Sequence, residues 1–463
     1  MRPVEVRRID EKLFNALAAH SRSPAAAYIS EELAWFANED ETVLGVLLHD
    51  LIDNDYVGIV LARDEAGRFR AFDLEVSIAT ADAAETWIVR VIKWHTGMGL
   101  RVYPQGKPNK TLDLFSSVLP ADKLHPDFVR LSNDASLIPA RTMIQEMMPH
   151  FSDVDGNFVE QFQSSGFDSR LWELYLFAYI NEEQLFLDRD HAAPDFLVTK
   201  YGKSVAIEAV IVGRQDDNPP RYFKTRRAPQ TLAEVLEAQE HRIPVRFGSP
   251  LYSKLSKRYW ELPHVQGKSL VFAIADFHDD QSMLWTSTAL MNYLYGVRHD
   301  FHYDDAGQLV ISPLKIETHR VGSKEIPSGY FFQPDAEHVS AVLFSATGTI
   351  SKFNRLGRQA GFAAADHLMV RVGTYHDHDP NAAMPKRFRY IVDETCNETW
   401  AEGLSMFHNP NAAHPVPEEL FPTIAQHHFR DGQIVSSIPA FHPYNSLTLN
   451  IRFTKDGRSK ERA

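Results

Sequence analysis

Three acidic residues sit where ionised side chains are hard to accommodate. Glu173 interrupts the nearly continuous apolar run SRLWELYLFAYI over 169–180, and Glu208 interrupts SVAIEAVIV over 204–212. Asp195 opens the segment DFLVT shortly before that second run. A carboxylate among apolar neighbours is costly unless a cation or hydrogen bonds compensate it. If Tyr201-Gly202 is a tight turn between two strands, Lys200 pairs with Lys203 and Asp195 falls directly opposite Glu208. Their Cβ atoms would then be ~4.5–5.5 Å apart on one face. Like charges so placed repel, and a divalent cation between them turns repulsion into ligation. Mg²⁺ takes one or two protein carboxylates and keeps several waters, whereas three carboxylates allow two ions, the arrangement used for phosphodiester displacement. Arg170, one helical turn before Glu173, can pair with it and keep it charged.

These groups need elements to position them. Residues 169–180 predict a buried helix, apolar all round, with Asp168 as its N-cap. Residues 195–199 and 204–212 predict the two strands of a hairpin. Ser249-Pro250 predicts an N-cap and first-turn proline for a helix through LYSKLSKRYWEL. After Gly267-Lys268, SLVFAIADF predicts a buried strand. The order is helix, hairpin, helix, strand.

Pro194-Asp195, twelve intervening residues and Glu208, preceded by a helix that carries Glu173, resemble the core of the PD-(D/E)XK, restriction-endonuclease-like nucleases. The resemblance covers about 110–130 residues. It implies an αβββαβ core and a Mg²⁺- or Mn²⁺-dependent nuclease whose metal is held by Glu173, Asp195 and Glu208, with the backbone carbonyl after Glu208 as a further ligand. Water would attack the scissile phosphate at that site. One position departs from the pattern: where the family has a lysine two residues after the glutamate, this chain has Val210. Another cation must supply the charge, or the site does not cleave. Lys200 and Lys203 fall on the wrong face in the expected register. Lys254, on the later helix, is the first choice; Arg170 and Lys257 are the others. The alternative is a nucleic-acid-binding or scaffold protein that keeps this fold without cleaving.

Local charge favours a polyanion. The chain carries a net charge of −13, yet residues 214–268 hold 11 Lys/Arg against six Asp/Glu. Tyr222, Phe223, Tyr252, Tyr259 and Trp260 are interspersed, which suits phosphate neutralisation with base stacking. Nucleic acid, DNA before RNA, is the expected partner of this segment.

The expected fold class is α/β in three parts: an N-terminal α+β domain over 1–150, the nuclease-like domain over 151–290, and a mixed, β-rich, His-rich region over 291–463. In the first part, helices are expected over 9–20, 24–38 and 81–95, with a hairpin of two strands, YVGIVLA from Tyr56 and RFRAFDLEV from Arg68, and a loop at 107–110. Nothing there has catalytic spacing, so it reads as a packing or recognition domain. The end domains are expected to serve a second copy or a protein partner. The last ten residues, TKDGRSKERA, are expected to fray. At 463 residues, with 44% apolar and 11% aromatic content, general disorder is excluded. The single Cys396 excludes internal disulfides, and the charged opening segment lacks a secretory apolar stretch. No membrane partner and a cytoplasmic location are expected.

Twelve of the 21 histidines lie beyond residue 290. His376 and His378, with His408, His414, His427, His428 and His442, raise a zinc or iron reading, but no HExxH spacing completes it. Acidic neighbours of Cys396 oppose a thiolate nucleophile. Thr347-Gly348-Thr349 lacks the spacing of a nucleotide-binding loop.

Overall fold

The computed structural model describes residues 4–105, 111–214, 231–278, 282–362, 366–453 and 459–460. The chain is a mixed α/β protein with several sheets. Its N-terminal sheet is an antiparallel meander of β1 (Val6–Ile9), β2 (Ser30–Asn38), β3 (Val43–Asp50), β4 (Tyr56–Arg63) and β5 (Phe69–Ile78). Helix α1 (Glu11–Ala18) follows β1, and α2 (Ala81–Gly97) packs on the sheet through Ala84, Ile88, Val91 and Ile92. The helix expected over 24–38 is instead a short 3₁₀ turn and β2. Pairing with both β1 and β3 overrides the local helical pattern there. The loop expected at 107–110 lies outside the described residues, as does most of the C-terminal decapeptide, of which 459–460 pair with an earlier strand.

Helices α3 (Pro126–Asn133), α4 (Ile138–Met147) and α5 (Phe158–Gln163) lead to α6 (Phe167–Glu182). All of α6 from Leu171 to Ile180 is buried, as a helix with no polar face must be. Its N-cap is Gly166, so Asp168 lies inside the first turn rather than capping it. Next come β6 (Phe186–Asp188), β7 (Phe196–Lys200) and β8 (Lys203–Val212). Lys200 pairs with Lys203 and Phe196 with Ile207 around Tyr201-Gly202, both with positive φ (53° and 71°), the backbone a two-residue turn demands.

After α7 (Leu232–Glu237) and a π-helical turn, α8 runs over Ile243–Leu255. It begins seven residues before the expected start, with Pro250 inside it and Pro244 in its first turn. Ile243, Phe247, Leu251 and Leu255 recur at helical spacing and bury against the sheet, which carries the helix across Pro250. Strand β9 (Ser269–Asp276) is buried throughout and parallel to β8. Then come α9 (Ser287–Tyr295), the hairpins β10 (Val297–Tyr303) with β11 (Leu309–Lys315) and β12 (Thr318–Val321) with β13 (Lys324–Pro327), β14 (Ala341–Ser345) and α10 (Ile350–Gln359). The chain continues through β15 (His367–Tyr375), β16 (Lys386–Ile391), β17 (Leu404–His408), β18 (Ala425–Arg430), β19 (Gln433–Ser437) and β20 (Pro443–Phe453).

The central sheet has eight strands in the order β19-β18-β17-β14-β9-β8-β7-β6. It therefore takes strands from both sides of residue 290, so that boundary does not separate two sheets. Likewise α4 and α6 share one core, across residue 150. Helix α6 covers one face of the sheet, over Val205, Ile207, Ala209, Val271 and Ala273. Helices α8 and α9 cover the other, over Ala206, Val210, Phe272 and Ile274. Among the described residues no helix is long and apolar enough to cross a membrane.

Candidate nuclease site

Glu208 lies in the middle of β8, and the pleat decides where it points. Ala206 and Val210 face α8, so Glu208 does too, whereas its neighbours Ile207 and Ala209 face α6. Glu208 is 4% exposed. The Nζ of Lys254, in the last turn of α8, donates to Glu208 Oε1, and the Tyr259 hydroxyl donates to the same oxygen at 2.5 Å. Both partners come from the segment that crosses this face of the sheet.

Asp195 stands just ahead of β7, where continuation of the pairing register sets it opposite Glu208. Its Oδ2 accepts from the Ala209 backbone N–H at 2.7 Å, so the aspartate holds the backbone immediately after Glu208. Burial raises the Asp195 carboxyl first, and the negative charges of Glu208 and Glu173 raise it further. The Ala209 N–H and Lys254 oppose this, and the group ends at about 8. A carboxyl in that state lacks sufficient positive charge nearby.

Glu173 reaches the site from the α6 side. It is buried, and Arg170 Nη1 donates to both of its oxygens at 2.8 and 2.9 Å. Arg170 is itself held by Gln161 and Asn157. Burial raises the Glu173 carboxyl, Arg170 and Arg189 lower it, and Glu208 raises it again, for a net upward shift.

The three acids are thus close enough to influence one another but do not form a closed cage. Among the described residues, the groups of three whose ligand atoms all lie within 4.8 Å of one another are His408–Glu418–His428 and Asp335–Glu337–His338; Glu173–Asp195–Glu208 is not such a group. Glu173 sits on α6 and Glu208 points toward α8 on the other face of the sheet, and each is drawn to its own cation. Asp195 and Glu208 are the pair that one ion could bridge. The raised Asp195 carboxyl fits this, since a divalent cation would supply the missing positive charge.

The other sequence candidates are placed elsewhere. Lys200 Nζ donates to the Glu183 carbonyl and Lys203 pairs with Glu419, both away from Glu208. Lys257 lies beyond the end of α8, its ammonium over the Tyr259 ring at 5.8 Å. Of the basic segment, residues 215–230 lie outside the described residues, including Arg221, Lys224, Arg226 and Arg227. Arg258 pairs with Glu261 and Asp335, and Lys268 with the His264 carbonyl. Cys396 is half-buried, and burial first, then Asp393 and Glu398, raises its thiol.

Two site residues escaped sequence reasoning. Tyr259 was expected to stack on bases, not to bond Glu208. Arg189 lies between the Phe151 and Phe196 rings, 4.3 and 5.1 Å from their centroids. Its Nε and Nη1 are buried without a hydrogen-bond partner. Burial lowers its affinity for the proton, against the opposing charges of Glu173 and Asp195. The sequence signal, Arg189 between Asp188 and Asp190, is that of an ordinary charged turn.

No family model matches the chain, and neither the curated proteins nor the solved structures contain a match to it.

Proposed function

We propose that the chain is a metal-dependent nuclease with a restriction-endonuclease-like core, α6-β6-β7-β8-α8-β9. One observation carries the reading. With Val210 in the place of the family's lysine, Lys254 brings an ammonium to the Glu208 carboxylate from α8. Asp195 and Glu208 would hold Mg²⁺ or Mn²⁺, with the Ala209 carbonyl nearby and Glu173 outside them. Bound there, the ion would supply Lewis-acid stabilisation of a phosphoryl oxygen. The chain's own groups do the rest. Asp195 fixes the Ala209 backbone, Tyr259 orients Glu208, and Lys254, whose ammonium sits at Glu208, would stabilise charge on the phosphate. Arg189 adds positive charge beside Glu173 and Asp195 from the α6 side.

A second reading is a nucleic-acid-binding or scaffold protein of the same fold that does not cleave. It is favoured by the three acids not closing into one tight group. The two readings part in one assay: mixed DNA and RNA incubated with Mg²⁺ or Mn²⁺, with Asp195→Ala and Glu208→Ala beside the wild type. Cleavage lost in both variants supports the nuclease. Retention of nucleic acid without cleavage supports the binder.

A further inference from the structure

We propose that His408, Glu418 and His428 form a zinc site, separate from the carboxylate pair and independent of the nuclease reading. One ligand atom from each residue lies within 4.8 Å of the others. The ligands come from three elements: the end of β17, the middle of β18 and the 3₁₀ turn Glu418–Leu420 between them. Strands β17 and β18 are parallel, with Phe407 beside His427, so His408 and His428 are the next neighbours along the same pair. Two imidazoles and one carboxylate are a ligand set suited to Zn²⁺, and the fourth, tetrahedral position stays open to water.

The surroundings of His408 are those of a prepared ligand. Its Nε2 lies 2.7 Å from Gln426 Oε1, while Gln426 Nε2 donates to the Phe421 carbonyl at 2.7 Å. A carbonyl only accepts, so the amide orientation is fixed and His408 Nε2–H must be the donor. The tautomer is thereby set, with the lone pair left on Nδ1, the kind of outer bond that orients metal-ligating histidines. His428 Nε2 is 3.3 Å from Glu418 Oε1, close to the ~3.3 Å edge expected for two ligands on tetrahedral zinc.

One adjustment is needed. The two imidazoles lie face to face, centroids 4.2 Å apart and planes 8° from parallel, whereas shared ligands converge. The ring free to turn is the more exposed one: side-chain exposure is 20% for His428 and 54% for Glu418. Rotation about the histidine χ2 is soft. The neighbouring trio Asp335–Glu337–His338 lacks such preparation; Arg258 lies 3.6 Å from Asp335, and Trp260 stacks on His338.

The test is Co²⁺ titration of the full chain carrying Glu208→Ala, which disables the carboxylate pair, followed by visible d–d absorption and displacement by Zn²⁺. One equivalent of Co²⁺ should give a tetrahedral spectrum that Zn²⁺ abolishes. Adding His428→Ala or Glu418→Gln should weaken binding at least ~10-fold, since both residues are partly exposed and their loss spares the fold. A colourless titration, or the same spectrum and affinity with His428→Ala, overturns the proposal.

Discussion

Asp195→Asn should stabilise the metal-free protein at alkaline pH, and progressively less as the pH falls toward ~4. The structure sets the sign. In the unfolded chain the Asp195 carboxyl titrates near ~4; in the fold, burial and the charges of Glu208 and Glu173 raise it to about 8. The native state therefore binds the proton more tightly, and native stability falls as pH rises between those two values. Below ~4 both states are protonated, and the penalty is absent. Each unit of difference corresponds to ~1.4 kcal/mol, so the ceiling on the penalty is roughly 5 kcal/mol. Asn keeps an oxygen that can accept from the Ala209 N–H, so the change isolates the charge. The assay is urea unfolding followed by circular dichroism from pH 5 to pH 9 in chelator. The gain at pH 8 should exceed the gain at pH 5 by ~1 kcal/mol or more, because pH 5 lies only about one unit above the unfolded-state value. Adding Mn²⁺ should then stabilise wild type at pH 8 and leave Asp195→Asn nearly unmoved, because bound ion stabilises only the state that holds it. A variant less stable than wild type at pH 8 would refute the reasoning, since it would mean that the carboxylate is already compensated.

Other outcomes follow from the same geometry. Lys254→Ala should lower cleavage by ~10²-fold or more while sparing metal binding by calorimetry; full activity would move the role to Arg170. Arg189→Ala removes a positive charge beside Glu173 and Asp195, so the decline of stability should run on to higher pH and its midpoint move upward in the same unfolding series. An unchanged midpoint would detach Arg189 from the site. Away from the site, Glu398 is buried with Lys352, Arg355 and Arg371. Burial would raise its carboxyl, but these three cations overcome that and hold it well below the usual range. Glu398→Gln should destabilise the protein by roughly 3–5 kcal/mol in urea unfolding, because it leaves buried cations uncompensated.

The hairpin that carries Asp195 and Glu208 was legible in the sequence because a two-residue turn fixes register, and Tyr201-Gly202 left little choice. The all-apolar α6 was legible for a similar reason: a helix without a polar face has one place to go. The start of α8 was not, because Ser249-Pro250 imitates an N-terminus that the packing of Ile243 and Phe247 overrides. Strand β2 was misread because its burial comes from two neighbouring strands that no local pattern announces. That α6 and α8 cover opposite faces of the sheet could not be read from spacing along the chain. Nor could it reveal Arg189, whose place between two phenyl rings depends on Phe151 and Phe196, distant in sequence.

The central claim is that the Asp195–Glu208 pair does phosphodiester chemistry. Its most direct test is the cleavage of mixed nucleic acids with Mn²⁺ by purified wild type and Glu208→Ala at equal concentration. The wild type should cleave, chelator should stop it, and Glu208→Ala should abolish it. Equal cleavage by both proteins, or none by the wild type despite bound ion, would contradict the claim.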